Sequence, residues 1–131
     1  MSIVLDTNVL VAGLLNPFGS PGRILDLILN GDLILAYDDR ILAEYRDVLG
    51  REKFGFNPAH VGDLLAYLQA TGQHVTAVSA HVTLPDPDDL PFLEVTLAAQ
   101  AEALITGNVR HYPVEARQGA VVLTPIEFLE R

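Results

Sequence analysis

The acidic residues of this chain fall where chemistry can be done. Asp6 closes the apolar run Ile3-Val4-Leu5, Glu44 sits inside a helical period, and Asp86-Pro87-Asp88-Asp89 form a cluster. A carboxylate placed straight after a buried strand is costly to keep unless a proton, a cation or hydrogen-bond donors meet it. Thr7 and Asn8 follow Asp6 at once and Val9-Leu10-Val11-Ala12 restarts an apolar segment, which reads as strand, acidic corner, helix. Ligands of open α/β sheets bind outside the carboxyl ends of the strands, so an acid at such a corner is a candidate site. The plainer reading is a strand end followed by a helix cap.

The elements that must position these acids emerge from short apolar runs alternating with helical periods. Strands are expected near residues 2–5, 33–37, 74–78, 103–106 and 120–123, and helices near 9–15, 22–29, 39–49, 58–70, 89–101 and 125–130. The alternation implies a three-layer α/β fold, a mostly parallel sheet with helices on both faces. Pro17-Phe18-Gly19-Ser20-Pro21-Gly22 separates the first two helices, and 50–58 is the other flexible stretch. No repeat, linker or second domain is evident, so residues 1–131 read as one domain.

Helical geometry ranks the faces of 39–49: Ile41, Leu42, Tyr45, Val48 and Leu49 form one apolar stripe, with Glu44 on its edge. Glu44 is therefore expected to be half-buried beside the sheet, either as a site acid or paired on the surface with Arg40, four residues earlier. Asp89 lies in or just before the first turn of a helix apolar on nearly every side. An acid there suits the helix dipole, and Asp86, Asp88 or Asp89 could each serve as an N-cap. Capping explains one of the three and leaves two over.

Composition narrows the classes. There is no cysteine, which excludes disulfides and thiolate metal sites, and the start Met1-Ser2-Ile3 has neither the basic region nor the apolar stretch of a signal peptide. No run is long enough to span a membrane, so a soluble, cytoplasmic protein is expected. Seventeen acids against eight basic residues give a formal charge of −9, opposite to the usual sign of a nucleic-acid binder. Either the substrate is not nucleic acid, or part of the acid excess holds divalent cations that carry the phosphate contact. His60, His74, His81 and His111 show no metal spacing and read as surface or loop residues. Ser20 and Ser79 lack a nucleophile motif, and there is no glycine-rich phosphate loop.

Four segments in order, 4–10 around Asp6, 41–49 around Glu44, 86–93 around Asp89, and Leu104-Ile105-Thr106-Gly107-Asn108, resemble the PIN domain, and the resemblance covers essentially the whole chain. The closest subgroup is similar to the VapC-like toxins of bacterial toxin–antitoxin pairs. The resemblance implies a five-stranded parallel sheet of order 3-2-1-4-5, acids at its carboxyl edge, and Mg²⁺- or Mn²⁺-dependent cleavage of RNA. Position by position it makes Asp6, Glu44 and Asp89 the catalytic, metal-holding acids, and sets Asn108 where many relatives carry a fourth aspartate. Asn8 and Thr106 match positions that orient the carboxylates, with Asp86 and Asp88 beside them. Arg23, Arg51, Lys53 and Arg110 are candidates for contact with the RNA backbone.

The same resemblance implies a small antitoxin partner and a homodimer. Half the residues are apolar, which points independently to an apolar helix face that pairs. A haloacid-dehalogenase phosphatase would need a second Asp where Asn8 stands, and a receiver domain an acid pair after the first strand and a lysine after the last. A PIN-shaped module that binds RNA or protein with little or no catalysis is the alternative from another class, and Asn108 is the feature that favours it.

Overall fold

Strands buried on both faces need apolar residues at every position rather than at alternate ones, and Ile3-Val4-Leu5 and Ala103-Leu104-Ile105 meet that need. The computed structural model describes all residues, Met1–Arg131. Its strands are β1 (Ser2–Leu5), β2 (Ile34–Tyr37), β3 (Gln73–His74), β4 (Ala103–Ile105) and β5 (Val122–Leu123). All pair in parallel in the order 3-2-1-4-5, with Ile3 opposite Leu35 on one side and Ala103 on the other. The side chains of Ile3, Val4 and Leu5 in β1 and of all three residues of β4 are essentially inaccessible, so both faces of the sheet centre are covered.

The covering helices are α1 (Thr7–Leu15), α2 (Ser20–Leu29), α3 (Asp39–Leu49), α4 (Pro58–Thr71), α5 (Leu90–Ala99) and α6 (Pro125–Leu129). None is long and apolar enough to cross a membrane. Helix α3 buries Ile41, Leu42, Tyr45 and Leu49, the stripe read from its periodicity, and leaves Val48 and Glu44 half-buried at its edge. The Tyr45 hydroxyl donates to the carbonyl of Leu5, which fixes α3 against the carboxyl end of β1.

Two expectations are corrected. The third strand is not 74–78 but the pair Gln73–His74, and 75–84 runs on without regular structure. It lies at the sheet edge, where one side has no ladder to join, and it is held by side chains instead. The amide of Ala80 donates to buried Glu94 of α5 at 2.9 Å, and the Gln118 side chain donates to the Ala80 carbonyl at 2.6 Å. Arg40 does not pair with Glu44 either. Its guanidinium reaches Glu94 and Asp38, each at 2.8 Å, because a buried carboxylate with one free oxygen gains more from the cation than a half-exposed one. Burial works against the charged form of Arg40, but Glu94 and Asp38 outweigh it and hold its proton more tightly than usual.

Glycines mark the tight corners. A Cβ on Gly22, early in α2, would stand 2.2 Å from the Pro17 carbonyl oxygen, whereas one on Gly62 of α4 would meet nothing within 4 Å. Gly22→Ala should therefore cost about 2–3 kcal/mol, an overpacking loss. Gly62→Ala should gain about 0.5–1 kcal/mol from helix propensity. Thermal melts of the two variants check this, and equal shifts would contradict the packing assigned to the α1–α2 corner.

Candidate functional site

Each strand of the sheet centre ends in a polar residue at its carboxyl edge, and two of these are aspartates with different fates. Asp38, after β2, accepts from the Ile41 amide at 3.0 Å and caps α3 as such residues usually do. Asp6, after β1, makes no cap bond. It is 5% exposed, and its Oδ2 accepts from the hydroxyls of Thr106, at 2.8 Å, and Tyr112, at 3.1 Å. The cap reading therefore fails for Asp6. Burial pushes its pKa above the ordinary carboxylate value, and the two hydroxyls and the Thr7 amide offset that only in part. Tyr112, buried against Asp6 and Asp89, holds its own proton well above the usual phenol range.

The last turn before α5 sorts the acidic cluster. Asp86 caps the short 3₁₀ turn Pro87–Asp89 by accepting from the Asp88 amide at 3.0 Å. Asp88 is exposed, and Asp89 is buried without capping the helix it precedes. The carboxyl of Asp89 is raised from 3.8 to about 6, first by burial and then by the charges of Asp6 and Asp86, with His111 acting the other way. Glu44 is raised too, by burial and by Asp6, Asp88 and Asp86, although the Thr7 hydroxyl donates to it. Asp6 thus lies within electrostatic reach of both Glu44 and Asp89, which come from two other stretches of the chain.

The sequence reading missed His111. Its Nδ1 lies 3.0 Å from Asp89 and its Nε2 2.8 Å from the Asn108 amide nitrogen, so the short turn after β4 joins the acids through a histidine. With the amide nitrogen donating to Nε2, the neutral ring donates from Nδ1 to Asp89. The only signal in the sequence is the three-residue step from Asn108 to His111 in a helical turn. The tightest grouping of ligand atoms is Asp86, Asp89 and His111, within 4.8 Å of one another, rather than Asp6, Glu44 and Asp89.

The expected supporting residues fall into place unevenly. Thr106 accepts from the Asn108 amide at 3.0 Å while it donates to Asp6, and Asn8 accepts from the Gly107 amide at 3.1 Å, so Asn8 holds the turn rather than a carboxylate. Asn108 keeps its carbonyl oxygen free while its nitrogen meets His111. A cleft of about 440 Å³ runs beside the acids, lined by Thr7, Asn8, Glu44, Asp86, Asp88 and Asp89 on one part and by apolar side chains on the other. Of the four cations, Arg51 lines that cleft and Lys53 stands next to it, above the ring of Phe54, whereas Arg23 and Arg110 do not line it.

A divalent cation of the Mg²⁺ or Mn²⁺ kind takes hard oxygen ligands. The donors fit such an ion: Asp6, Glu44 and Asp89 are oxygen donors of raised proton affinity, Asp6 raising that of the other two, and none of them pairs with a lysine or arginine of the chain.

Comparison with known proteins agrees with the fold. The family model described as PIN domain matches residues 2–110. A protein of Methanocaldococcus jannaschii, named as the uncharacterized protein MJ1680, is 28% identical over 117 residues, which is 82% of this chain and 71% of that protein. A chain of the crystal structure of VapBC2 from Rickettsia felis, bound to a DNA fragment from their promoter, has the same fold. The TM-score is 0.60 at 15% identity, over 93% of this chain and 97% of that one.

The raised carboxyls set the pH dependence of the metal-free protein. The unfolded chain releases the Asp89 proton near 3.8 and the folded one near 6, so the stabilisation it contributes is complete below the lower value and lost as pH rises through the upper one. In EDTA the melting temperature should be higher at about pH 5 than at about pH 7.5, and Asp89→Asn should remove much of the difference. A wild-type melting temperature that climbs steadily over that interval would contradict it.

Proposed function

The chain belongs to the PIN-domain family, and on that premise we propose that it is an endoribonuclease, the toxin of a toxin–antitoxin pair, that hydrolyses RNA phosphodiesters with Mg²⁺ or Mn²⁺ held by Asp6, Glu44 and Asp89. The observation that carries this reading is the set of three carboxyls of raised proton affinity, none paired with a lysine or arginine, at the carboxyl edge of the sheet. A bound divalent ion supplies charge neutralisation there and lowers the pKa of an attacking water. The chain's own part is to hold the acids still. Thr106 and Tyr112 leave the Asp6 carboxylate no freedom to turn, Thr7 ties down Glu44, and His111 orients Asp89. Asn108 offers a neutral carbonyl oxygen to the same site, and Asp86 and Asp88 add negative charge at its rim. Arg51 and Lys53, beside the cleft, serve the phosphates on either side of the scissile one.

Asp6→Asn and Asp89→Asn should each lower the rate of metal-dependent cleavage of single-stranded RNA by at least about a hundredfold, because the ion's contribution is several kcal/mol. Thr106→Val should cost about 10–100-fold, as groups that orient ligands do. Cleavage that survives EDTA, or is unchanged in both aspartate variants, would refute the assignment.

Apolar surface supports the partners of this reading. Phe18 is 93% exposed and Leu15 and Ile126 each 56%, more large apolar side chains than solvent contact favours, and they suit a second copy or a small antitoxin. Light scattering at micromolar concentration should give about twice the mass of the 14.2 kDa chain. A monomer throughout that range would count against the dimer.

A further inference from the structure

The cleft beside the acids has two ends of different chemistry. Glu44, Asp86, Asp88 and Asp89 line it together with Leu15, Val48, Arg51 and Phe54, and because Val48 lies one turn beyond Glu44 on α3 and Leu15 two turns beyond Thr7 on α1, the apolar side chains lead away from the acids. Leu15 and Phe54 are not core residues: Leu15 is 56% exposed, and Phe54 is half-buried in the short 3₁₀ turn Glu52–Phe54. Phe54 is also supported from behind, since the Phe56 ring stacks on it with centroids 5.8 Å apart and planes 18° from parallel. The Lys53 ammonium lies 5.0 Å from the Phe54 centroid with no carboxylate partner, and Arg51 is held only by the exposed Asp47, at 3.1 Å, a surface pair of little strength. An aromatic ring backed by a second ring, with an unpaired cation over it and an arginine beside it, is how proteins stack the base of a single strand while meeting its phosphates.

We propose that Phe54 is a base-stacking subsite which receives an unpaired nucleobase next to the scissile phosphate, with Lys53 moving from the ring to the adjoining backbone phosphate and Arg51 meeting the same strand. The inference rests on the nuclease reading and adds to it the side chain that receives the base. A base in a duplex is already stacked on its neighbours and cannot reach the ring without leaving the helix, so the subsite selects single-stranded RNA over double-stranded RNA. The cleft volume of about 440 Å³ suits one nucleotide, with its phosphate at the acidic end and its base at the apolar end.

The chain contains no tryptophan, so Phe54→Trp installs a single fluorophore at the subsite. In an Asp89→Asn background, which separates binding from cleavage, short single-stranded oligoadenylate should quench that fluorescence saturably. A duplex of the same length and a single strand of abasic nucleotides should not. Phe54→Ala in the same background should weaken single-strand binding, read by anisotropy of a labelled oligonucleotide, by about tenfold or more, and Phe54→Tyr should restore it. Thermal melts of the variants identify any loss that comes from unfolding, and the tryptophan signal does not depend on Phe54→Ala. Single-strand binding without quenching, together with an unchanged affinity in Phe54→Ala, would overturn the subsite while wild-type cleavage with Mn²⁺ still supports the nuclease. Neither cleavage nor binding of any RNA would overturn both.

Discussion

A carboxyl group at the end of the central strand is the constraint from which the rest of this site follows. Asp6 is walled in by the sheet and must find hydrogen-bond donors or give up its charge. Two hydroxyls answer that need, and both come from the chain after β4: Thr106 directly and Tyr112 from six residues further on. The turn between them brings Asn108 and His111 to the same edge, and His111 reaches Asp89. Burial still prevails over the donors, so Asp6 keeps a raised affinity for protons and passes its repulsion on to Glu44 and Asp89. This part of the molecule gives up stability in the absence of a counter-charge, as functional sites commonly do.

Elsewhere along the same edge the chain solves the equivalent problem with its own residues. Asp38 is a helix cap, and buried Glu94 is met by Arg40 on one oxygen and the Ala80 amide on the other. Arg40, with 47% of its side chain exposed, thus serves two carboxylates and fastens α3, α5 and the irregular stretch 75–84 to each other. The contrast between the two groups of acids is informative. Where a cationic side chain meets the acids their role is structural, and where no lysine or arginine does, their proton affinity stays raised, which is what the proposed cation site draws on. An acidic protein can approach RNA on those terms, since bound ions reverse the local sign.

The parallel pairing of the strands followed from runs of apolar residues, because strands buried on both faces carry a continuous signal, whereas their order came only with the resemblance to the PIN domain. Helix α3 was equally readable, since Ile41, Tyr45 and Leu49 recur at helical spacing. The edge strand was overextended, because Val75 and Ala77 alternate as a strand would and pack against the core, yet the ladder stops once the Val75 amide has donated to the Tyr37 carbonyl at 2.9 Å. Side-chain partners were the least accessible. Arg40 is four residues from Glu44 yet turns to Glu94, fifty-four residues away, and nothing local announces a buried acid with a free oxygen. His111 and Tyr112 were missed for the same reason, as their roles exist only once β1 and β4 lie side by side. Asp6 drew attention because a charged residue at the end of an apolar run is rare enough to need an explanation.

The central claim is that the raised proton affinity of this carboxyl cluster is the counterpart of a cation site, and the most direct test is the proton balance of ion binding. Calorimetric titration of the protein with Mn²⁺ near pH 6, repeated in buffers of different ionisation enthalpy, measures how many protons leave when the ion enters. With Asp89 titrating at about 6 and Asp6 and Glu44 raised, binding should be saturable and release a fraction of a proton or more, and the release should shrink towards pH 7.5 as the carboxyls empty on their own. Saturable binding with no proton released near pH 6, or no binding of Mn²⁺ or Mg²⁺ at millimolar concentration, would contradict the account.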